Sequence, residues 1–257
     1  MSETLRGGAP PDSVHLAALV TGGSRGIGAA TVRVLARAGL RTCFTYLRNH
    51  DAAAALVAEV SNLTSVTAVR ADATKEDDAV CAFEVAETLG RVAVLVNNVG
   101  ATWKVAGLVS WTADDIRRVL DVNLYSALIM SRVALERWHD DPAGRSIINV
   151  SSAAAKTGAP AEYVPYAAAK AGIDALTTGL AKEVARLGIR VNAVAPGTTD
   201  TEIHAAAGDP GRGARVAATV PMGRIASAEE VADTIAWLAS SQASYVSGAV
   251  VRVTGGA

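Results

Sequence analysis

Tyr166 and Lys170 stand four residues apart in Tyr-Ala-Ala-Ala-Lys, and on a helix that spacing puts a phenol and an amine on one face. A Lys ammonium beside the hydroxyl favours the phenolate, so the pairing predicts a Tyr pKa below its ordinary value of about 10. Such a phenol would be a usable acid/base near neutral pH. The same spacing also fits two ordinary residues on a half-exposed helix face. Two further polar features lie upstream. Ser151-Ser152 closes an apolar run 14 residues before Tyr166, and Asn123 sits in Asp121-Val122-Asn123-Leu124. An Asn among apolar neighbours needs a partner; it either props a backbone carbonyl or holds a water.

A second group of residues suits a dinucleotide. Thr21-Gly22-Gly23-Ser24-Arg25-Gly26-Ile27-Gly28 follows the first apolar run. Glycines let the backbone turn tightly and approach a ligand, and a helix opening there offers N–H groups and a dipole to a pyrophosphate. The spacing is G-x-x-x-G-x-G rather than G-x-G-x-x-G. After the second apolar run the chain reads Thr45-Tyr46-Leu47-Arg48-Asn49, with no carboxylate before Asp51. An NAD site ordinarily has an acid there for the ribose 2′-hydroxyl. Arg48 and Arg25 instead suit a 2′-phosphate, unless they are simply solvated, so NADP(H) is expected over NAD(H), with NAD(H) possible. Asp72 fits either an adenine amino group or a turn cap. Asn97-Asn98-Val99-Gly100 fits either a close backbone approach to the adenosine ribose or an ordinary turn.

These residues need a scaffold, and short apolar runs alternating with helix-like stretches supply it. Strands are predicted at 16–21, 41–46, 67–71, 92–97, 146–151, 190–195 and 249–253, with helices at 26–38, 51–61, 76–89, 112–139, 163–187 and 228–240. The alternation predicts a parallel sheet covered on both faces, in α/β class. No linker or repeat divides the chain, so one domain over 14–257 is expected, preceded by a loose tail at 1–13. The Gly/Ala/Pro-rich stretch 197–225 is a candidate lid.

Composition narrows the partners. Half of the 257 residues are hydrophobic, aromatics are few and the net charge is −1. Nucleic acid and anionic membrane are not indicated, no apolar run approaches a membrane span, and the cytosol is the default compartment. Cys43 and Cys81 read as small buried hydrophobes. His15, His50, His139 and His204 are scattered, and no metal site is expected.

In order and spacing, Thr21-Gly-x-x-x-Gly-x-Gly28, Asn97-Asn98-x-Gly100, Asn123, Ser152, Tyr166-x-x-x-Lys170 and Pro196-Gly197 resemble the short-chain dehydrogenases/reductases from about Leu16 to Gly256. The closest branches by resemblance are the 3-oxoacyl-carrier-protein reductases and the glucose-dehydrogenase-like enzymes. The resemblance implies a single Rossmann-type doubly wound domain, a seven-stranded parallel sheet ordered 3-2-1-4-5-6-7, NAD(P)-dependent hydride transfer between carbinol and carbonyl, and a homotetramer. It implies Tyr166 as acid/base, Lys170 lowering its pKa and holding the nicotinamide ribose, and Ser152 steadying the carbonyl oxygen. It also implies Asn123 anchoring a water, and Thr201 contacting the carboxamide and pyrophosphate. Gly22, Ser24, Arg25, Gly26, Ile27, Gly28, Tyr46, Arg48, Asn49, Asp72, Asn98, Val99, Gly100, Pro196 and Gly197 complete the expected cofactor set.

Three positions depart from the family pattern. The Ser152–Tyr166 interval is one residue longer than usual, which leaves Ser151 as an alternative; Val99 replaces Ala; and Thr254 stands where Asp is common. Trp103 and Trp111 either line the substrate pocket or pack under a loop, and His204 either touches substrate or is solvated. A non-catalytic dinucleotide-binding regulator on the same fold is the alternative function, and it predicts a damaged catalytic set.

Overall fold

The computed structural model describes residues 15–257; the expected tail at 1–13 lies outside the described residues. The strands are β1 (Leu16–Val20), β2 (Arg41–Tyr46), β3 (Val66–Arg70), β4 (Arg91–Asn97), β5 (Ser146–Val150), β6 (Arg190–Pro196) and β7 (Val250–Val253). All pair in parallel in one sheet of order β3-β2-β1-β4-β5-β6-β7. The helices are α1 (Gly26–Arg37), α2 (His50–Val60), α3 (Glu76–Glu87), α4 (Ala113–Leu120), α5 (Ser126–Arg137), α6 (Ala154–Thr157), α7 (Val164–Val184), α8 (Ile203–Ala206), α9 (Arg212–Ala217) and α10 (Ala228–Ala239).

Strand periodicity divides the interior into two cores. Side chains alternate across a strand, so Ala17 and Leu19 of β1 join one cluster with Phe83 of α3, Met130 of α5 and Ala181 of α7. Ala18 and Val20 join the other, with Val32 of α1, Leu56 of α2 and Ile235 of α10. Buried alanines such as Ala82 and Ala134 let helices lie close to the sheet. The large anchors are Phe83 and Trp138, whose rings meet edge-on at 6.4 Å. Burying each such side chain stabilises the fold by roughly 1.5–3 kcal/mol.

A buried polar ladder ties the central strands to the helices behind them. Register places Asn97 of β4 opposite Asn149 of β5, and the Asn97 amide donates to Asn149 at 2.9 Å and to Ser131 of α5 at 3.1 Å. Asn149 donates in turn to Thr177 of α7 at 2.9 Å. The helix carrying Tyr166 and Lys170 is therefore fixed to the sheet by hydrogen bonds as well as by apolar packing.

Two element expectations are corrected. The single helix predicted over 112–139 is interrupted by a wide π turn at Asp121–Tyr125. The Asn123 side chain takes the Val119 carbonyl at 2.9 Å, a side-chain insertion of the kind that breaks a regular helical ladder. The stretch 197–225, for which no helix is predicted from sequence, carries α8 and α9. Cys43 is buried as expected, whereas Cys81 is exposed; it lies on the solvent side of α3. Among the described residues no helix is long and apolar enough to cross a membrane.

Candidate active site

The site lies along the carboxyl ends of the parallel strands, where open α/β sheets receive ligands. At its phosphate end, Gly22 and Gly26 adopt φ of +64° and +52°, conformations that L side chains rarely take. A Cβ on Gly28 would lie 2.3 Å from the Gly22 carbonyl oxygen, so this turn closes only around glycine. The Gly22 and Gly23 N–H groups are taken by Thr45. Arg25, the N-cap of α1, gives no side-chain cap. The first-turn N–H groups of α1 therefore have no partner within the helix and suit an anion.

Neighbouring strand ends brace the turn. Thr21 Oγ1 accepts the N–H groups of Asn98 and Val99 at 3.0 and 3.2 Å. The Asn98 amide donates to the Thr21 and Gly22 carbonyls, both at 3.0 Å. Asn98 is thus a strut for the turn, and Val99 packs on Gly22, where a Cβ would meet its Cγ2 at 3.1 Å. Ser24 and Ile27 complete the turn, both half-buried. Thr201 faces it: its Cγ2 would be 3.2 Å from a Cβ on Gly26. A cleft of about 360 Å³ opens there between Gly26, Thr201 and the start of α10.

At the end of β2, Tyr46 bonds His50 at 2.9 Å and Asn49 caps α2 by accepting the Ala52 N–H at 3.0 Å. Arg25 and Arg48 are exposed, and neither enters an ion pair with a described residue. Asp72 accepts from the Thr74 N–H and hydroxyl, so one carboxylate oxygen caps a turn. Pro196 and Gly197 join this edge to its neighbours: Ala153 N–H donates to the Pro196 carbonyl at 2.8 Å, and Gly197 N–H to Val253 at 2.9 Å.

The chemical end is built on β5 and α7. Lys170 is 3% exposed and Tyr166 7%. The Lys170 ammonium donates to the Val150 carbonyl at 2.7 Å and lies 5.7 Å from the Tyr166 ring centre. The Ser152 hydroxyl, which accepts the Ala154 N–H at 3.1 Å, lies close enough to the Tyr166 phenol to favour its ionised form. Ser151 points elsewhere, donating to Asp174 Oδ1 at 2.5 Å, so the hydroxyl beside the phenol belongs to Ser152. Asn123 takes the propping role: its amide donates to Ala101 and Val119 carbonyls and its Oδ1 accepts Ala101 N–H at 3.0 Å. Gly100 closes the group, since a Cβ there would meet Asn123 Oδ1 at 2.9 Å and Lys170 Nζ at 3.3 Å. Further along α7, Gly172 likewise permits close packing, since a Cβ there would meet Leu124 of the π turn at 2.8 Å.

One electrostatic expectation is overturned. Burial pushes the Tyr166 phenol up to about 12, opposed chiefly by the Ser152 hydroxyl; Lys170 does not bring it toward neutral pH. The lysine's own charge is the weaker partner, since burial lowers its pKa to about 8 against a favourable effect of Asp174. Desolvation disfavours the charged form of both groups, and the ammonium is turned to Val150 rather than to the hydroxyl.

Trp103, Trp111 and His204 each had two alternative roles from sequence. Trp111 packs beneath the loop after β4, with its indole N–H on Ala106 at 3.1 Å. Trp103 lies against α4, bonded to Asp115 at 3.2 Å. The side chain of His204 lies outside the described residues. Sequence reasoning missed Tyr163, whose ring meets Tyr166 edge-on at 5.5 Å, and Arg212, whose guanidinium lies 5.2 Å from the Tyr163 ring centre. The position of Tyr163, three residues before Tyr166, was the available signal.

Comparison with known proteins agrees with this geometry. The family described as Enoyl-(Acyl carrier protein) reductase matches residues 22–257. The chain is 44% identical to the uncharacterized oxidoreductase YgfF of Escherichia coli, covering 93% of this chain and 98% of that one. It is 37% identical to 3beta-hydroxysteroid dehydrogenase 1 of Eggerthella lenta, covering 93% and 92%. It is 36% identical to a 3-oxoacyl-[acyl-carrier-protein] reductase of Synechocystis, covering 93% and 95%. A blue fluorescent protein from a metagenomic library, solved in complex with NADPH, superposes with a TM-score of 0.85 at 34% identity, covering 94% of this chain and 97% of that one. With its sheet order, its glycine turn and its Ser-Tyr-Lys group, the chain belongs to the short-chain dehydrogenase/reductase family.

Proposed function

We propose that this chain is an NADPH-dependent reductase of ketones to secondary alcohols, and in reverse an oxidant of such alcohols. The observation that carries the reading is the paired hydroxyls of Ser152 and Tyr166 beside the buried Lys170. Two hydroxyls converging at one point suit a carbonyl oxygen that gains negative charge. A phenol held near 12 keeps its proton throughout the neutral range, so Tyr166 is loaded as the acid for reduction. The proton leaves the phenol for the carbonyl oxygen as that oxygen becomes an alcohol.

The glycine cradle fits a dinucleotide: its turn excludes any Cβ at Gly28 and the α1 N-terminus has no side-chain cap. Nicotinamide, when bound, supplies the hydride. Residues 24–28 hold the pyrophosphate, with Thr201 facing them. Arg25 and Arg48, both exposed and in no ion pair among the described residues, take the 2′-phosphate. Tyr46, Asn49 and Asp72 border the adenosine end, and Asn98, Val99 and Gly100 its ribose. Lys170 holds the nicotinamide ribose, Pro196 and Gly197 shape the wall beside it, and Asn123 fixes the backbone against which Lys170 packs. The named activities of the relatives, a hydroxysteroid dehydrogenase and an oxoacyl reductase, are carbinol–carbonyl couples and support this class of substrate.

Replacing Tyr166 by Phe is expected to abolish ketone reduction while NADPH binding, followed by its fluorescence, stays within about twofold of wild type. Turnover near wild type in that variant overturns the mechanism. Arg25→Ala and Arg48→Ala are each expected to reduce the NADPH-over-NADH preference in kcat/KM by on the order of tenfold, the size of one charge-assisted hydrogen bond. An unchanged ratio removes the 2′-phosphate clamp. NADPH oxidation against β-ketoacyl thioesters, an enoyl thioester, ketoses, quinones and bulky ketones identifies the substrate class, and turnover of the enoyl thioester alone would replace carbonyl reduction by reduction of a carbon–carbon double bond.

A further inference from the structure

Besides Thr201 at the glycine turn, the lid reaches the chemical end of the site through α9. Arg212, the first residue of α9, donates through Nη1 to Glu162 Oε1 at 2.6 Å, and its side chain is only 12% exposed. The Tyr163 ring lies beneath its guanidinium, whose centre is 5.2 Å from the ring centre. Tyr163 is the N-cap of α7 and stands edge-on to Tyr166. An unbroken series of contacts therefore runs from the lid to the phenol. By contrast, the arginine of the other pair near α9, Arg215 with Asp209, is 63% exposed.

The receiving side is held stiffly. Ala159 and Ala161 have φ of +43° and +59°, a region that costs an L residue free energy and persists only when its surroundings enforce it. The Glu162 carbonyl accepts the Ala106 N–H at 2.7 Å, joining this corner to the loop after β4. Arg212 is less completely satisfied, since its Nε is buried without a hydrogen-bond partner among the described residues. That desolvation cost weakens the closed arrangement and suits a contact that must open and re-form.

We propose that Arg212 is a positioning residue for the reduction: seated on Glu162 and Tyr163, it fastens the lid over the phenol end of the site and holds Tyr163 against Tyr166. Closure of the lid and alignment of the proton donor are then one event. The inference rests on the reading of Tyr166 as that donor. Substrate binds under the lid, and the contact re-forms when the lid returns.

The test uses the full-length protein with Arg212→Gln, Arg212→Lys and Glu162→Gln. Arg212→Gln and Glu162→Gln are expected to lower kcat by roughly tenfold, short of the ~10²-fold loss that a 1 Å misplacement brings. NADPH binding should stay within about twofold, and amide hydrogen exchange over residues 203–217 should accelerate by about tenfold or more while strand amides stay protected. Arg212→Lys, which keeps the charge over Tyr163, is expected to recover most of kcat. Unchanged exchange over 203–217 in Glu162→Gln overturns the fastening, and unchanged kcat in Arg212→Gln overturns the positioning role. Wild-type turnover in Tyr166→Phe would overturn the functional reading instead, and the exchange result does not depend on it.

Discussion

Burying an ammonium strips it of water, and Lys170 has the Val150 carbonyl and the half-buried Asp174 to set against that loss. The balance is unfavourable, because its pKa falls from 10.5 to about 8. Below pH 8 the lysine is charged in both folded and unfolded chains, and the folded state bears the full cost. Between pH 8 and 10.5 the folded state sheds the proton while the unfolded chain keeps it, so stability rises with pH across that window. Lys170→Met should therefore stabilise the fold at pH 7. The shift is worth roughly 3 kcal/mol, and about 1 kcal/mol is lost with the Val150 hydrogen bond. Urea unfolding at pH 7 and pH 10 should show a net gain of about 2 kcal/mol that shrinks at the higher pH. A destabilised variant at pH 7 contradicts the argument. The Tyr166–Lys170 spacing was legible in the sequence, but the direction of the phenol's shift was not. Four-residue spacing fixes which groups are neighbours and says nothing of how much water either retains.

Elements hold these residues through contacts that no local pattern announces. Asn149 reads in Ser-Ile-Ile-Asn-Val as one polar residue in an apolar strand; only the β4–β5 register puts Asn97 beside it and α7 behind it. Asn149→Ala leaves a cavity and removes the donor to Thr177, and it should cost about 2–3 kcal/mol in urea unfolding. A loss under about 0.5 kcal/mol, the scale of an ordinary surface substitution, would remove the ladder from the account of how α7 is held. The π turn was hidden for a similar reason. Residues 112–139 keep an apolar helical rhythm, and the surplus residue shows only once the Asn123 amide reaches Ala101 on a loop 22 residues away. Strand positions, by contrast, were legible almost to the residue, because runs such as Val92-Ala-Val-Leu-Val96 are apolar on both faces and bounded by turn residues.

At the scale of the whole molecule, the sheet order, the two cores and the strand-end location of the site followed from alternation and the resemblance together. The lid's hold on the phenol did not, because Glu162 and Arg212 lie 50 residues apart in segments without periodicity. The sheet order also fixes when the site can exist during synthesis. β1 lies between β2 and β4, so β1, β2 and β3 can pair as soon as they emerge, but the β4 side of β1 stays an open edge until residues 91–97 follow. The strut under the glycine turn, Asn98, is made after that edge closes. Parallel pairings between distant segments form slowly, and an unpaired edge is a template for wrong partners. A ribosome that stalls within the first 90 or so residues would present an apolar, half-built sheet with its phosphate turn unbraced. That interval of translation is when this chain has most need of a chaperone.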